Sequence, residues 1–267
     1  MVSQHPKVPT PRCIIVRHGQ TEWSNSGQFT GNTDLPLTPH GEELVRLSGK
    51  ALIEYGFVKP ENITYVFTSP RKRARDTVRL MLEKLSDEQR SRIKVIVDDD
   101  LHEWDYGDYE GLLTEEIVQL RKSRGLDRDR PWVIWRDGCE NGESTKQIGL
   151  RCSRAIARIQ AIHRVHLEQG LPSDIMVFAH GHLLRYFAAL WFGLGIEEPI
   201  ESVIPSNPSS SYVVDDKVLP NVEMKTFKYL DKNPNLLLDA GGVGVLSYSH
   251  NNVDEPAMAL AGPFTVR

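Results

Sequence analysis

Four short runs rich in β-branched and aromatic residues, at 13–16, 62–68, 93–97 and 174–179, are spread along the chain with stretches of helical periodicity between them. That alternation leaves few architectures open, because strands separated by helices build βαβ units that pair in parallel and are covered on both faces. The spacing predicts helices over 39–54, from Pro70 to about Lys84, over 114–124, over 147–167 and from 181 to about Phe192. Thr38 and Ser69 read as N-caps, each followed by a proline at the first helical position. The expected fold is α/β: a single three-layer α/β/α domain with a mostly parallel central sheet.

Residues 1–11 carry three prolines and read as a loose leader, with the domain spanning 12–267. Residues 200–221, rich in Ser, Pro and Asn, read as an excursion, and 222–248 as a closing antiparallel strand pair. Gly241-Gly242-Val243-Gly244 reads as turn geometry, since no strand-to-helix turn frames it as a dinucleotide fingerprint requires.

Composition narrows the partners. With 267 residues, 40% hydrophobic and 25% charged, the chain has the make-up of an ordinary globular protein. A net charge of −4 argues against nucleic acid as partner, whose usual footprint is a basic stripe. No window approaches the apolar length of a membrane span and the first residues lack a signal-peptide pattern, so no membrane partner and a cytoplasmic location, with the nucleus also open, are expected. Cys13, Cys139 and Cys152 are odd in number and lack metal-type spacing; they read as packing thiols in a reducing compartment. Nothing in the sequence opposes a homo-oligomer.

The first run ends on Arg17-His18-Gly19 and the last on His180-Gly181-His182. Ser69 to Thr77 follows the second run, and Leu101 to Gly111 follows the third. All four segments leave the carboxyl ends of strands, the rim where ligands collect in open α/β sheets. A cation, an imidazole and a glycine on one turn suit an anion, and a helix start behind His180 adds free N–H groups. Which arginine of Arg71, Arg73 and Arg75 serves the site is open on composition, as is the choice among Glu103, Asp105 and Asp108 for an acid. Asp98-Asp99-Asp100 reads as a solvated loop, since one sequential run cannot surround an ion. The His-Gly-His spacing lacks a partner carboxylate, so neither a metal nor another cofactor is expected.

RHGQTEW at 17–23, TSPRKRARDT at 68–77, EWDYGDYEG at 103–111 and AHGHLLRYF at 179–187 occur in this order. Together they resemble the histidine phosphatase superfamily, in its phosphoglycerate-mutase-like branch, from Arg12 to about Phe192. The resemblance implies a phosphoryl group passing onto His18, with Arg17, Arg73 and His180 around it. Such transfer needs an in-line nucleophile and cations on the equatorial oxygens, and arginines nearby favour the neutral imidazole. It also singles out Glu103 as the acid for the leaving oxygen and then the base for water. Thr30 and Gly31 are implied as substrate contacts, the glycine allowing close approach to a backbone N–H. Ser69, Tyr106 and Arg185 are implied at the non-transferred end, Arg185 being suited to a second phosphate.

Departures bear on the reaction. Mutases of this branch usually carry Asn where this chain has Ser24, Lys where it has Thr114, and paired arginines where it has Arg136-Asp137. Loss of cations that grip a small carboxylate substrate favours a longer sugar bisphosphate, with water as acceptor. The alternatives are a cofactor-dependent phosphoglycerate mutase and a catalytically silent phosphate-binding protein. Silent relatives typically lose the nucleophile or an arginine, and here all are present.

Overall fold

A computed structural model describes residues 8–193, 230 and 237–258. Alternation along β1 (Arg12–Arg17) sends Cys13 and Ile15 to one face of the sheet and Ile14 and Val16 to the other, all four buried. The same holds for β4 (Asp174–Ala179), whose Ile175, Val177 and Ala179 oppose Met176 and Phe178. A sheet apolar on both faces must be covered twice. One cover contains α2 (Pro39–Glu54) and α3 (Lys72–Met81), the other α5 (Thr114–Ser123), α7 (Thr145–Glu168) and α8 (Gly181–Trp191). The short helices α1 (Glu22–Ser26), α4 (Asp87–Ser91) and α6 (Ile134–Asp137) lie in connections.

The sheet order is β3-β2-β4-β1-β5-β6, with β2 at Ile63–Thr68, β3 at Lys94–Val97, β5 at Val243–Tyr248 and β6 at Pro256–Met258. β3, β2, β4 and β1 run parallel; β5 is antiparallel to β1 and β6 to β5. The outer partner of β5 is thus residues 256–258, whereas the 222–230 half of the expected pair lies outside the described residues save Leu230, as does the 200–221 excursion.

Register decides where the chemistry lands. Arg17 pairs with Ala179, Thr68 with Phe178 and Val97 with Thr68, so the four strands end nearly level. His18, Ser69 and His180 therefore leave adjacent strands side by side.

Several local expectations are corrected. Helix α3 begins at Lys72 with Arg71 as its N-cap, and it stops at Met81 rather than Lys84; Ser69 is not the N-cap, its Oγ accepting the Arg71 N–H at 3.3 Å. Helix α7 starts two residues before the predicted 147, because Ser144 and Gln147 form a capping box that the apolar pattern did not reveal. The acidic triplet is not simply solvated: Asp98 and Asp100 are part-buried partners of Arg158 at 2.7 Å, and Asp100 also pairs with Arg154 at 2.6 Å. Arginines one turn apart on α7 thereby tie down the end of β3.

Candidate active site

His18 is 5% exposed at the end of β1. Its Nδ1 lies 2.7 Å from the carbonyl of Gly19, an acceptor, so Nδ1 carries the ring proton and Nε2 keeps its lone pair. Burial, and then the charges of Arg73 and Arg17, hold the imidazole well below the ordinary histidine pKa. The turn is anchored from α3, where Thr77 Oγ1 accepts the Gly19 N–H at 2.9 Å and donates to the Arg73 carbonyl at 2.7 Å.

Arg17 is tied to the tail. Its Nη1 donates to the Leu238 carbonyl at 2.8 Å, and its Nε is buried with no hydrogen-bond partner. Gly241 N–H reaches the carbonyls of Arg17 and His18 at 3.2 and 3.0 Å, in a turn whose φ of +77° suits glycine. Of the glycine-rich segment only Gly241-Gly242 is turn geometry, lying at the end of β1; Val243 and Gly244 already belong to strand β5 and pair with Val16 and Ile15.

Arg73 is fully buried and heavily engaged. Nη1 donates to the Thr33 carbonyl at 2.9 Å, Nη2 to the carbonyls of Thr30 and Gly31 at 3.0 and 3.1 Å, and Nε to His180 Nδ1 at 3.2 Å. Four of its five donors are thus placed on protein groups, which leaves it less free to clamp an anion bidentately than its residue type suggests. Because a guanidinium only donates, His180 Nδ1 is the acceptor and Nε2 holds the proton. That Nε2–H lies 2.7 Å from Ser69 Oγ. Ser69 therefore sits against His180, whose ring centroid is 5.2 Å from that of His18.

Glu103 lies in the connection after β3, 5% exposed. Oε1 accepts N–H groups from Trp104 and Leu183, both at 2.9 Å, and Oε2 accepts from His182 at 3.0 Å. The carboxylate thus caps α8, whose own N-cap His180 offers no side-chain bond. The rival acids are occupied elsewhere, Asp105 accepting from Gly107 N–H at 3.0 Å and Asp108 pairing with Arg124 at 2.6 Å.

The remaining candidates fall differently from expectation. The Gly31 N–H is taken by Glu110, 3.0 Å from each carboxylate oxygen, and the Thr30 hydroxyl donates to the Gln28 carbonyl at 3.1 Å. Gly31 is needed for packing, since a Cβ there would stand 2.4 Å from the Trp104 carbonyl oxygen. Tyr106 is 2% exposed with its hydroxyl 2.7 Å from His182 Nδ1, so it supports His182 from beneath. Burial pushes the Tyr106 hydroxyl well up and His182 down to about 4. Arg185, one turn beyond His182, lies over Trp135 at 4.7 Å and donates to the Leu230 carbonyl at 3.0 Å.

Sequence reasoning weighed His182 only as a metal ligand and missed Glu110, though both lie inside quoted motifs. Their signal was there, a second imidazole two residues after His180 and a third acid after Glu103, but only the fold shows what each faces. His180 and His182 address different partners, and among the described residues no three His, Cys, Asp or Glu side chains gather as a metal site would need. Among those residues no helix is long and apolar enough to cross a membrane. The three cysteines are free and buried.

The mutase-specific positions are also spoken for. Ser24 exchanges bonds with Thr21 to cap α1, and Arg136 is neutralised by Asp137 at 2.6 Å.

A buried histidine with an unprotonated Nε2, under the charges of two arginines at the carboxyl end of a parallel strand, is an arrangement suited to phosphoryl transfer on an α/β/α fold. Residues 13–218 match the model of the histidine phosphatase superfamily, branch 1, and the chain belongs to that superfamily. It is 64% identical over 256 residues to sedoheptulose 1,7-bisphosphatase of Saccharomyces cerevisiae, covering 96% of this chain and 94% of the relative. An acid phosphatase of Mycobacterium tuberculosis is 33% identical over 195 residues, covering 73% of this chain and 82% of that one. A solved structure of an open reading frame from the same bacterium superposes with a TM-score of 0.61 at 26% identity, covering 94% of this chain and 97% of the other.

Proposed function

We propose that this chain is a sugar-bisphosphate phosphatase that removes the 1-phosphate of sedoheptulose 1,7-bisphosphate through a phosphohistidine, with fructose 1,6-bisphosphate as a secondary substrate. The observation that carries the chemistry is the His18 tautomer: Nδ1–H held by the Gly19 carbonyl, Nε2 free and unprotonated. The 64% identity over nearly the whole chain supports the substrate.

Nε2 attacks phosphorus as the bond to the sugar oxygen breaks, and that oxygen takes a proton from Glu103. Oε1 of Glu103 already accepts two N–H groups and Oε2 only one, so the open lone pair, and the mobile proton, belong to Oε2. Water then gives a proton to the same atom and attacks the phosphohistidine, releasing phosphate and restoring the imidazole. The Arg17 Nε, the remaining Arg73 donor and the Ser69 hydroxyl supply the donors around the transferred oxygens. Ser69 is itself positioned by His180, so His180 acts through it. Arg185 faces the second phosphate.

A panel of sugar phosphates tests the proposal, with phosphate release followed in the presence of a chelator. Fastest turnover on the seven-carbon bisphosphate, insensitive to the chelator, is expected; turnover confined to phosphoglycerates and stimulated by 2,3-bisphosphoglycerate would overturn it.

A further inference from the structure

Arg151 lies on α7, outside every sequence motif, and is 4% exposed. All five of its N–H groups are placed. Nε and one Nη2 proton go to the two carboxylate oxygens of Glu143 at 2.6 and 2.8 Å. Nη1 donates to the carbonyls of Asp100 and His102 at 2.9 and 2.6 Å, and the other Nη2 proton points to the Glu103 carbonyl at 3.3 Å. Glu143, 8% exposed, grips the same stretch from the other side. Its Oε2 accepts the Asp105 N–H at 3.3 Å, its N–H donates to the Asp105 carbonyl at 2.8 Å, and its carbonyl accepts from Trp104 Nε1 at 2.8 Å.

Every donor of Arg151 therefore ends on Glu143 or on the backbone of the segment 100–103, and Glu143 takes up 104–105. A buried ion pair contributes little net stability against an apolar pair of similar volume, so stability alone does not account for it. Geometry does, since a general acid must stand within hydrogen-bond reach of the leaving oxygen and a misplacement of about 1 Å costs about 100-fold in rate. Lysine offers three donors from one point and cannot copy a five-donor fork.

We propose that the buried Arg151–Glu143 pair is a positioning device that sets the placement of Glu103 relative to the leaving oxygen. The inference rests on Glu103 being the acid. The test compares kcat/KM for a sugar bisphosphate, whose alkoxide must be protonated, with that for p-nitrophenyl phosphate, whose leaving group departs without a proton.

The double variant Arg151→Met/Glu143→Leu removes both charges together, and Arg151→Lys keeps the charge with fewer directed donors. For both, kcat/KM on the sugar ester should fall about 100-fold for the double variant and about 10-fold for the lysine variant, with the aryl ester changed less than about 3-fold. Glu103→Gln should likewise harm the sugar ester far more than the aryl ester. A merely structural role predicts equal losses on both esters, tracking the fraction folded in urea titrations. If Glu103→Gln discriminates between the esters and the Arg151 variants do not, the positioning role is overturned. If Glu103→Gln itself does not discriminate, the acid assignment is what has failed.

Discussion

His18 and His180 stand 5.2 Å apart, centroid to centroid, because β1 and β4 run parallel with Arg17 opposite Ala179. One imidazole presents a lone pair at Nε2, and the other turns its Nε2 proton toward Ser69. Their opposite tautomers follow from their neighbours, a carbonyl for His18 and a guanidinium for His180.

Ser69→Ala would leave the His180 Nε2 proton without its partner and remove a hydroxyl beside the nucleophile. The expected loss in kcat/KM is about 10- to 100-fold, the equivalent of roughly 1–3 kcal/mol for an unsatisfied buried donor. Thermal unfolding should confirm an intact fold; unchanged kinetics would show that Ser69 lies outside the reaction.

Buried imidazoles make stability depend on pH. His18, His163, His180 and His182 all have pKa values lowered by burial, with His163 near 3 and His182 near 4. Below the ordinary histidine pKa the unfolded chain binds protons that the folded chain refuses. Their stabilisation is therefore present above about pH 6.5 and is lost as pH falls toward the folded values. Each such histidine contributes up to about 1.4 kcal/mol per pH unit in that window. Urea unfolding at several pH values should show stability falling by several kcal/mol between about pH 7 and pH 5. A flat profile would mean that these rings take up protons in the folded protein as readily as in the unfolded chain.

Gly31→Ala places a Cβ 2.4 Å from the Trp104 carbonyl oxygen, a backbone atom that cannot step aside cheaply. The expected destabilisation is about 1–3 kcal/mol in urea titrations. Activity should fall as well, because the Gly31 carbonyl holds Arg73. Wild-type stability would show that the loop at 30–33 shifts freely.

Arg185→Ala separates bisphosphates from monophosphates. With its guanidinium over Trp135, one turn beyond His182 on α8, its loss should raise KM for sedoheptulose 1,7-bisphosphate by about 10-fold or more, the scale of one charged hydrogen bond. A sugar monophosphate should be little affected. Equal effects on both would move Arg185 out of the second-phosphate role.

Strand and helix order were legible because the apolar runs are short, bounded and separated by helical pattern. The rim was legible too, since His18, Glu103 and His180 each follow a strand end. What each side chain faces was not. The resemblance implied Ser69 at the non-transferred end of the substrate; the β2–β4 register, which no local pattern encodes, sets its hydroxyl against His180. The Gly31 N–H was expected on substrate but meets Glu110, 79 positions away in sequence. The Arg151–Glu143 pair was invisible for the same reason. Its partners on 100–105 are carbonyls and amides, and backbone groups carry no sequence signature.

The phosphohistidine tests the account most directly. Enzyme mixed with sedoheptulose 1,7-bisphosphate, quenched within milliseconds into alkaline denaturant and digested, should carry one acid-labile phosphoryl group, located by tandem mass spectrometry on His18. The same label should be absent from His18→Ala. A turning-over enzyme with no trapped phosphoryl group, or with the label on another residue, would contradict the account.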